Sequence, residues 1–565
     1  METSKNGRRQ FIRNTILATG AIMLAPNFIS CNDDDNENES KINVTDYTKI
    51  NFNQGVASFD PTKSKVIIWT RYNSPDKKIL WEVSKDIDFN KILRSGIITT
   101  ELSRDNTIAV ELTELAENQK LYYRFSNKED KAISVTGETI TFPENASSVK
   151  LAVCSCSNYQ AGLFNVYNAM AKSEADVIVH LGDYFYEYEA GGYGSNAQNA
   201  SLNRLHQPAH EILTLEDYRT RYKQYRSDAD LQLAHQKKPF ICVWDDHEVA
   251  NDAYKEGAEN HSDSEGNYET RKQNALQAYS EFLPFSRLEA NNQSLIYRNF
   301  NLGNLVSLTM LDTRIIGRDK QLNMNDYITA SGFNGIKYQA DITNPSRALL
   351  GTTQRNWLTQ IVNSNTAKWQ VLGQQVLMAK MYVPAEMLTA FGTPNFNAIL
   401  TELVTIKVRL ANNDPTLTAQ EIARVSTVLP YNLDAWDGYP VDREMLYNAF
   451  GNKKIITLAG DTHNAWSSKL TKQDKTEVGI ELATSGITSP GFELYLGNNP
   501  SPETLKGFEA ALTTLVDDLN YFDASRRGYI LTTFTSSNVK AEWIFVNTIL
   551  SSSYTTSIGH TVVYS

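Results

Sequence analysis

Asp176-Val-Ile-Val-His-Leu-Gly-Asp-Tyr-Phe-Tyr-Glu-Tyr188 decides the fold. Asp176 to Leu181 is apolar, rich in β-branched residues and closed by Gly182, so it reads as a short buried strand. A carboxylate, Asp183, follows the glycine, and a phenol, Tyr186, comes three residues later. Open α/β sheets bind ligands at the carboxyl ends of their strands. Three other stretches repeat the arrangement. Val149 to Val153 runs into Cys154-Ser-Cys156, Lys238 to Trp244 into Asp245-Asp-His-Glu248, and Lys454 to Ala459 into Gly460-Asp-Thr-His463. Carboxylate, imidazole, thiolate and phenolate gathered at one sheet edge suit a hard, highly charged cation or a pair of cations.

The order Cys-Ser, Gly-Asp-Tyr-x-Tyr-Glu-Tyr, Trp-Asp-Asp-His-Glu-Val-x-Asn and Gly-Asp-x-His resembles the PhoD family of alkaline phosphatases and phosphodiesterases. That family lies within the calcineurin-like and purple-acid-phosphatase-like metallophosphoesterases. Arg204-Leu-His-Gln-Pro-Ala-His-Glu211, Leu311-Asp-Thr-Arg314, Gln374-Gln-Val376 and Asp434-Ala-Trp-Asp-Gly-Tyr439 extend the resemblance, which runs over roughly residues 50 to 548. It implies an α/β catalytic domain of the metallophosphoesterase type, a two-sheet sandwich, preceded by a small all-β, fibronectin III-like sandwich. It also implies hydrolysis of phosphate esters at a dinuclear or multinuclear site holding Fe3+ and Ca2+, with the second metal left open.

The resemblance assigns residues. Asp183 is expected to bridge the metals. Cys156, Tyr186 and His463 are expected around iron, and Asp246 on the calcium side, with Asn251 and Asp245 as secondary candidates. Asp461 and His463 are two apart, so an extended backbone would aim both the same way. Cys154 ends the apolar run Leu151-Ala-Val153 and reads as a packed small hydrophobe. His247 is expected to contact phosphate or protonate the leaving group. Arg314 reads as a catalytic group steering substrate, with an ion pair to Asp312 as the alternative. Arg204 and His206 read as substrate-binding, with a fold-stabilising network as the alternative.

Residues 1–30 read as an export signal and stay outside fold reasoning. Gly7-Arg-Arg-Gln-Phe-Ile-Arg13 resembles a twin-arginine signal, and the apolar Ile16 to Ala25 is too short to span a bilayer. Phe28-Ile-Ser-Cys31 resembles a lipobox, which makes Cys31 a lipidated amino terminus. The acidic linker 31–47 resembles the surface-export signal of some Gram-negative lipoproteins. The expectation is a periplasmic or cell-surface lipoprotein of a Gram-negative-type bacterium, exported folded by the twin-arginine (Tat) machinery and touching membrane only through its lipid anchor. The whole chain carries -11. Lys5, Arg8, Arg9 and Arg13 against Glu2 give residues 1–30 a net +3, so the remainder carries -14. That charge argues against a nucleic-acid groove and leaves small phosphate esters as partners. Of four cysteines, three remain once Cys31 is lipidated, too few for a disulfide scaffold.

Residues 48–146 read as a separate all-β unit, with runs at Val66–Trp69, Ile79–Trp81, Thr107–Leu112 and Leu121–Phe125. Residues 148–548 form the catalytic body, with helical stretches at Phe164–Ala171, Leu215–Tyr225, Arg271–Phe282 and Thr353–Val362. Within it, 377–430 reads as a helical insertion and partial lid, helical at Ile399–Ala411 and Ala419–Leu429. Residues 549–565 read as a polar tail. Two other functions stay open at this point: a phospholipase-D-like phosphodiesterase, and a catalytically inactive binding lipoprotein. No Gly-x-Ser-x-Gly elbow supports a serine hydrolase.

Overall fold

The ligand-bearing runs fold as parallel strands in two sheets. Val149–Cys154, Val177–His180 and Phe240–Cys242 pair in parallel. So do Val306–Met310, Trp369–Gly373 and Ile455–Ala459. Nearly every residue of these strands is buried. They therefore read as unbroken apolar runs and not as alternating ones. These coordinates come from a computed structural model that describes residues 44–289, 292–330, 332–497 and 500–565. The export-signal and Cys31 expectations lie outside the described residues.

The first sheet has nine strands. From one edge they are Thr556–Tyr564, Val539–Val546, Arg527–Phe534, Val149–Cys154, Val177–His180, Phe240–Cys242, Val56–Phe59, Val66–Arg71 and Thr107–Leu112. The second has seven: Arg298–Leu302, Val306–Met310, Trp369–Gly373, Ile455–Ala459, Glu477–Ala483, Ala465–Thr471 and Leu519–Asp523. Leu151, Val179 and Ile241 of the first sheet share one buried core with Leu308, Val371 and Leu482 of the second. Two indoles stitch the sheets: Trp543 Nε1 donates to Ala483 O at 2.9 Å, and Trp369 Nε1 to Thr535 O at 2.7 Å. Helices pack outside this sandwich. Leu215–Tyr225 begins in a capping box between Thr214 and Asp217.

The amino-terminal unit is all-β but not separate. Three of its strands extend the first sheet, with Phe59 beside Phe240 in parallel register. Its other strands form a five-stranded sheet that closes over Ile68, Tyr72, Val83, Leu121, Tyr123 and Phe125. The alternation of buried Leu121, Tyr123 and Phe125 with half-buried Tyr122 and Arg124 follows from that closure. Asp60 keys the unit to the body: it receives both Nε and Nη2 of Arg298, at 2.8 and 2.7 Å, and Arg298 also donates to Cys242 O. Arg226 lies 4.4 Å over the Trp69 ring.

Two further expectations are corrected. The chain end is a strand, not a tail: Thr556–Tyr564 pairs antiparallel with Val539–Val546. An edge strand with one solvated face needs little apolar sequence, so its composition reads as loop. The insertion is more than helices. Leu377, Met378 and Ala379 are core residues, and Tyr382–Pro384 pairs with Val428–Pro430 to bring its ends together. That pairing stops the last helix at Ser426, short of Leu429. Its longest helix, Phe396–Ala411, shares a buried core with Pro502–Leu515, a helix not expected from sequence.

Glu481, on the second sheet, pins the start of the insertion. Its buried carboxylate accepts from Met378 N at 2.6 Å and Ala379 N at 3.0 Å. Burial, against those two donors, pushes its pKa from 4.5 up to about 7. Between these values the folded chain holds a proton that the unfolded chain has released. The contribution of Glu481 to stability therefore falls as pH rises through that window and is level above it. Glu481→Gln is expected to remove this slope, so that the difference in stability shifts in favour of the variant between pH 4.5 and 8. Urea midpoints of both proteins at pH 4.5 and 8 check this; a constant difference between them would refute it.

Candidate metal centre

The site is built where strands of both sheets release their chains. Cys156, Asp183, Asp461 and His463 each sit one to a few residues past a parallel strand, with φ of 62, 53, 64 and 62°. Left-handed backbone is uncommon away from glycine, and such residues cluster at functional sites. Gly182 lets two turns meet, because a Cβ there would lie 2.4 Å from Asp245 Cβ. Glu248 then ties the turns together, accepting from Asp183 N, Tyr184 N and Asp245 N at 3.1, 2.6 and 2.7 Å.

Three groups of candidate ligands result, each with its ligand atoms within 4.8 Å of one another: Cys156, Asp183 and His463; Asp183, Asp246 and His247; Asp245, Asp246 and Asp461. Asp183 belongs to the first two. Tyr186 joins the first group. Its hydroxyl donates to Asp183 Oδ2 at 3.0 Å, lies 3.0 Å from His463 Nε2, and accepts from Ser489 Oγ at 2.7 Å. The cluster is buried except at half-buried Asp461 and His463.

The charges show what the site needs. Asp183 Oδ1, Asp245 Oδ2 and Asp246 Oδ1 are buried and accept no hydrogen bond. Burial pushes the Asp245 and Asp461 carboxyls well above their ordinary range, against Arg314 and with help from neighbouring carboxylates. Burial likewise pushes the Cys156 thiol and Tyr186 phenol up, and Asp183 adds to both. For Asp246 burial is outweighed by Arg314 and His247, which hold it at about 2. Buried anionic oxygens without partners are costly, and a bound cation reverses each upward shift. The donor set therefore fits metal ions. In the third group the cation is already present, because Arg314 donates to Asp245 at 2.5 Å and to Asp461 at 2.8 Å.

Sequence reasoning brought Cys156, Asp183, Tyr186, Asp246, His247 and His463 to one place. Asp461 is close by but grouped differently: positive φ at 461 and 463 replaces the extended backbone, so Asp461 joins Asp245 and Asp246 while His463 joins Cys156. Arg314 is not presented to a substrate. It is wholly buried, and its partners are Asp245, Asp434 and Asp461; Asp312 instead accepts the backbone N–H of Arg314. Arg204 and His206 belong to the fold-stabilising network. Arg204 pairs with Asp228 at 2.8 Å over the Tyr159 ring, and His206 is held by Tyr188 O and the Tyr225 hydroxyl. Asn251 donates its side-chain amide to Glu259 Oε2 at 3.1 Å. Cys154 is a buried free thiol, as are Cys156 and Cys242.

Three participants were missed. Glu187 accepts His247 Nδ1 at 2.6 Å, Asn260 Nδ2 at 2.8 Å and Asn251 N at 2.7 Å. Burial opposes the charge of His247, but Glu187, Asp183 and Asp246 push its pKa well up. The clue was in plain view, an acid directly after Tyr186. Tyr193, from a stretch of loop composition, puts its hydroxyl 3.1 Å from His463 Nδ1. Asp434 takes both Arg314 and Arg318.

Comparison with known proteins follows the same lines. A family model described as PhoD-like phosphatase matches residues 151–543, and one described as its N-terminal domain matches residues 38–143. Alkaline phosphatase D of Bacillus subtilis (strain 168) is 36% identical over 464 residues, covering 78% of this chain and 70% of that protein. A solved structure of PhoD superposes with a TM-score of 0.74 at 31% identity, over 92% of this chain and 91% of that one. A purple acid phosphatase from yellow lupin (Lupinus luteus) seeds shares the fold, with a TM-score of 0.52 at 11% identity over 90% of this chain and 73% of that one.

Proposed function

Since this chain belongs to the PhoD-like phosphatase family and is a phosphatase hydrolase, we propose that it cleaves phosphate mono- and diesters at two metal ions that share Asp183. The carrying observation is that Asp183 is common to two ligand groups and keeps one buried oxygen without a partner. Cys156, Tyr186, His463 and Asp183 would hold Fe3+; Asp183 and Asp246 would hold Ca2+. A thiol and a phenol beside a carboxylate support the trivalent ion, and an oxygen-only pair supports calcium. Such ions polarise phosphoryl oxygens and lower the pKa of water.

The chain's own residues do the rest. Glu187 accepts from His247 Nδ1 and so fixes the ring's orientation, and the Tyr186 ring packs 4.2 Å from the imidazole. His247 then gives its proton to the departing oxygen, which leaves as an alcohol. Arg314 neutralises the carboxylates beneath the site. The reading includes export: Arg8-Arg9 and Phe28-Ile-Ser-Cys31 support a Tat-exported lipoprotein anchored through Cys31, periplasmic or at the cell surface.

The test is metal quantification on purified protein, with turnover of an aryl monoester, a bis-aryl diester and phosphatidylcholine. Iron is expected with visible tyrosinate absorption, and Tyr186→Phe is expected to remove that band. Metal-replete protein that hydrolyses no phosphate ester defeats the reading, and an unchanged spectrum in iron-loaded Tyr186→Phe defeats the role of Tyr186.

A further inference from the structure

An apolar cavity of about 210 Å³ lies between the insertion and the helix Pro502–Leu515. Met387 and Leu388 line it from the insertion, Phe508 and Leu512 from the helix, and Trp466 and Phe492 from the side of the metal centre. No lining residue carries a charge. Two walls connect directly to the ligand turn. Trp466 Nε1 donates to Thr462 Oγ1 at 2.8 Å, between Asp461 and His463. Phe492 follows Pro490, whose carbonyl lies 2.8 Å from His463 Nδ1. Tyr495, 60% exposed, packs edge-on to Phe492 with ring centroids 6.4 Å apart.

We propose that this cavity takes the unbranched alkyl chain of a phosphate-ester substrate whose phosphate sits at the metal centre; the proposal rests on the phosphatase reading. The lining selects the occupant. Its polar atoms are few, and the indole N–H of Trp466 is already bonded to Thr462. A sugar or nucleoside would bury hydroxyls without partners. Met381 and Met387 give the walls adaptable, unbranched side chains suited to a flexible chain. The cavity has room for a chain of several carbons.

The test is phosphate release from alkyl phosphates, methyl to octyl, by the metal-loaded full chain. The rise in kcat/KM is expected to be about three- to fourfold per added methylene until the chain fills the cavity. Met387→Trp is expected to flatten the octyl-to-methyl ratio, and Met387→Ala to move the plateau to longer chains. The ratio is taken within each protein, so a general loss of activity does not imitate the effect. A flat series in a wild type that turns over methyl phosphate overturns the proposal and leaves the phosphatase reading standing. No turnover of any member defeats that reading instead. The cavity is then judged by calorimetry, where octylphosphonate binding no tighter than methylphosphonate, or equally tight to Met387→Trp, overturns it. Octyl phosphate in free solution against dioleoyl phosphatidic acid in phosphatidylcholine vesicles tells a soluble chain from one drawn out of a bilayer. Turnover of both without dependence on Met387 also overturns the proposal.

Discussion

Asp183→Asn is expected to lower phosphate-ester turnover on the order of a thousandfold or more while leaving the fold intact. Asparagine preserves the volume and tolerates the left-handed backbone at this position, where φ is 53°. The turn is also fixed from outside the side chain, by Glu248 on the backbone N–H groups of Asp183 and Tyr184. What changes is charge. The carboxylate is the member shared by two ligand groups, and an amide supplies one neutral oxygen and a misplaced N–H donor in its stead. Without metal the variant should melt no lower than wild type, because a buried carboxylate oxygen that lacks a partner has been made neutral. Turnover, metal content and thermal melting on one preparation read all three. Near-normal turnover at full metal occupancy refutes the assignment.

Arg314→Met is expected to destabilise the metal-free protein by about 3–5 kcal/mol. The guanidinium is fully enclosed and bonds Asp245, Asp434 and Asp461 together, with Asp246 3.6 Å away. Methionine fills part of the space but leaves those carboxylates facing one another. Metal ions should recover part of the loss, since they offer the same carboxylates another cation. Arg314→Lys should fall between, because a point charge cannot reproduce the fork that serves three acids at once. Urea midpoints with chelator and with metal check this. An Arg314→Met midpoint equal to wild type in chelator would show that the carboxylates are neutral or solvated, and that Arg314 does not hold them.

These two residues also show what the sequence can carry. Asp183 was legible because a strand with both faces buried is an unbroken apolar run, and its ending is local. The same holds for Cys156, Asp246 and His463. The surroundings of Arg314 were not legible. Asp434 lies 120 residues further on, and no periodicity links the two. Nor could spacing reveal that Asp461 and His463 part company, since positive φ at non-glycine residues leaves no mark in composition. The amino-terminal unit was correctly read as strands, but strand propensity does not say which sheet a strand joins. Asp60 and Arg298, which settle the matter, are far apart in the chain and unremarkable singly.

The first sheet runs straight through the interval between residues 143 and 151, where the two family matches divide. That division is not one of mechanics. A gene trimmed to begin at residue 148 would leave Phe240–Cys242 as a raw border, its backbone groups open to any passing chain. It would also strand Arg298 without Asp60. Replacing the first segment with a foreign module therefore damages the catalytic body it was meant to spare. The two segments must be engineered as a pair.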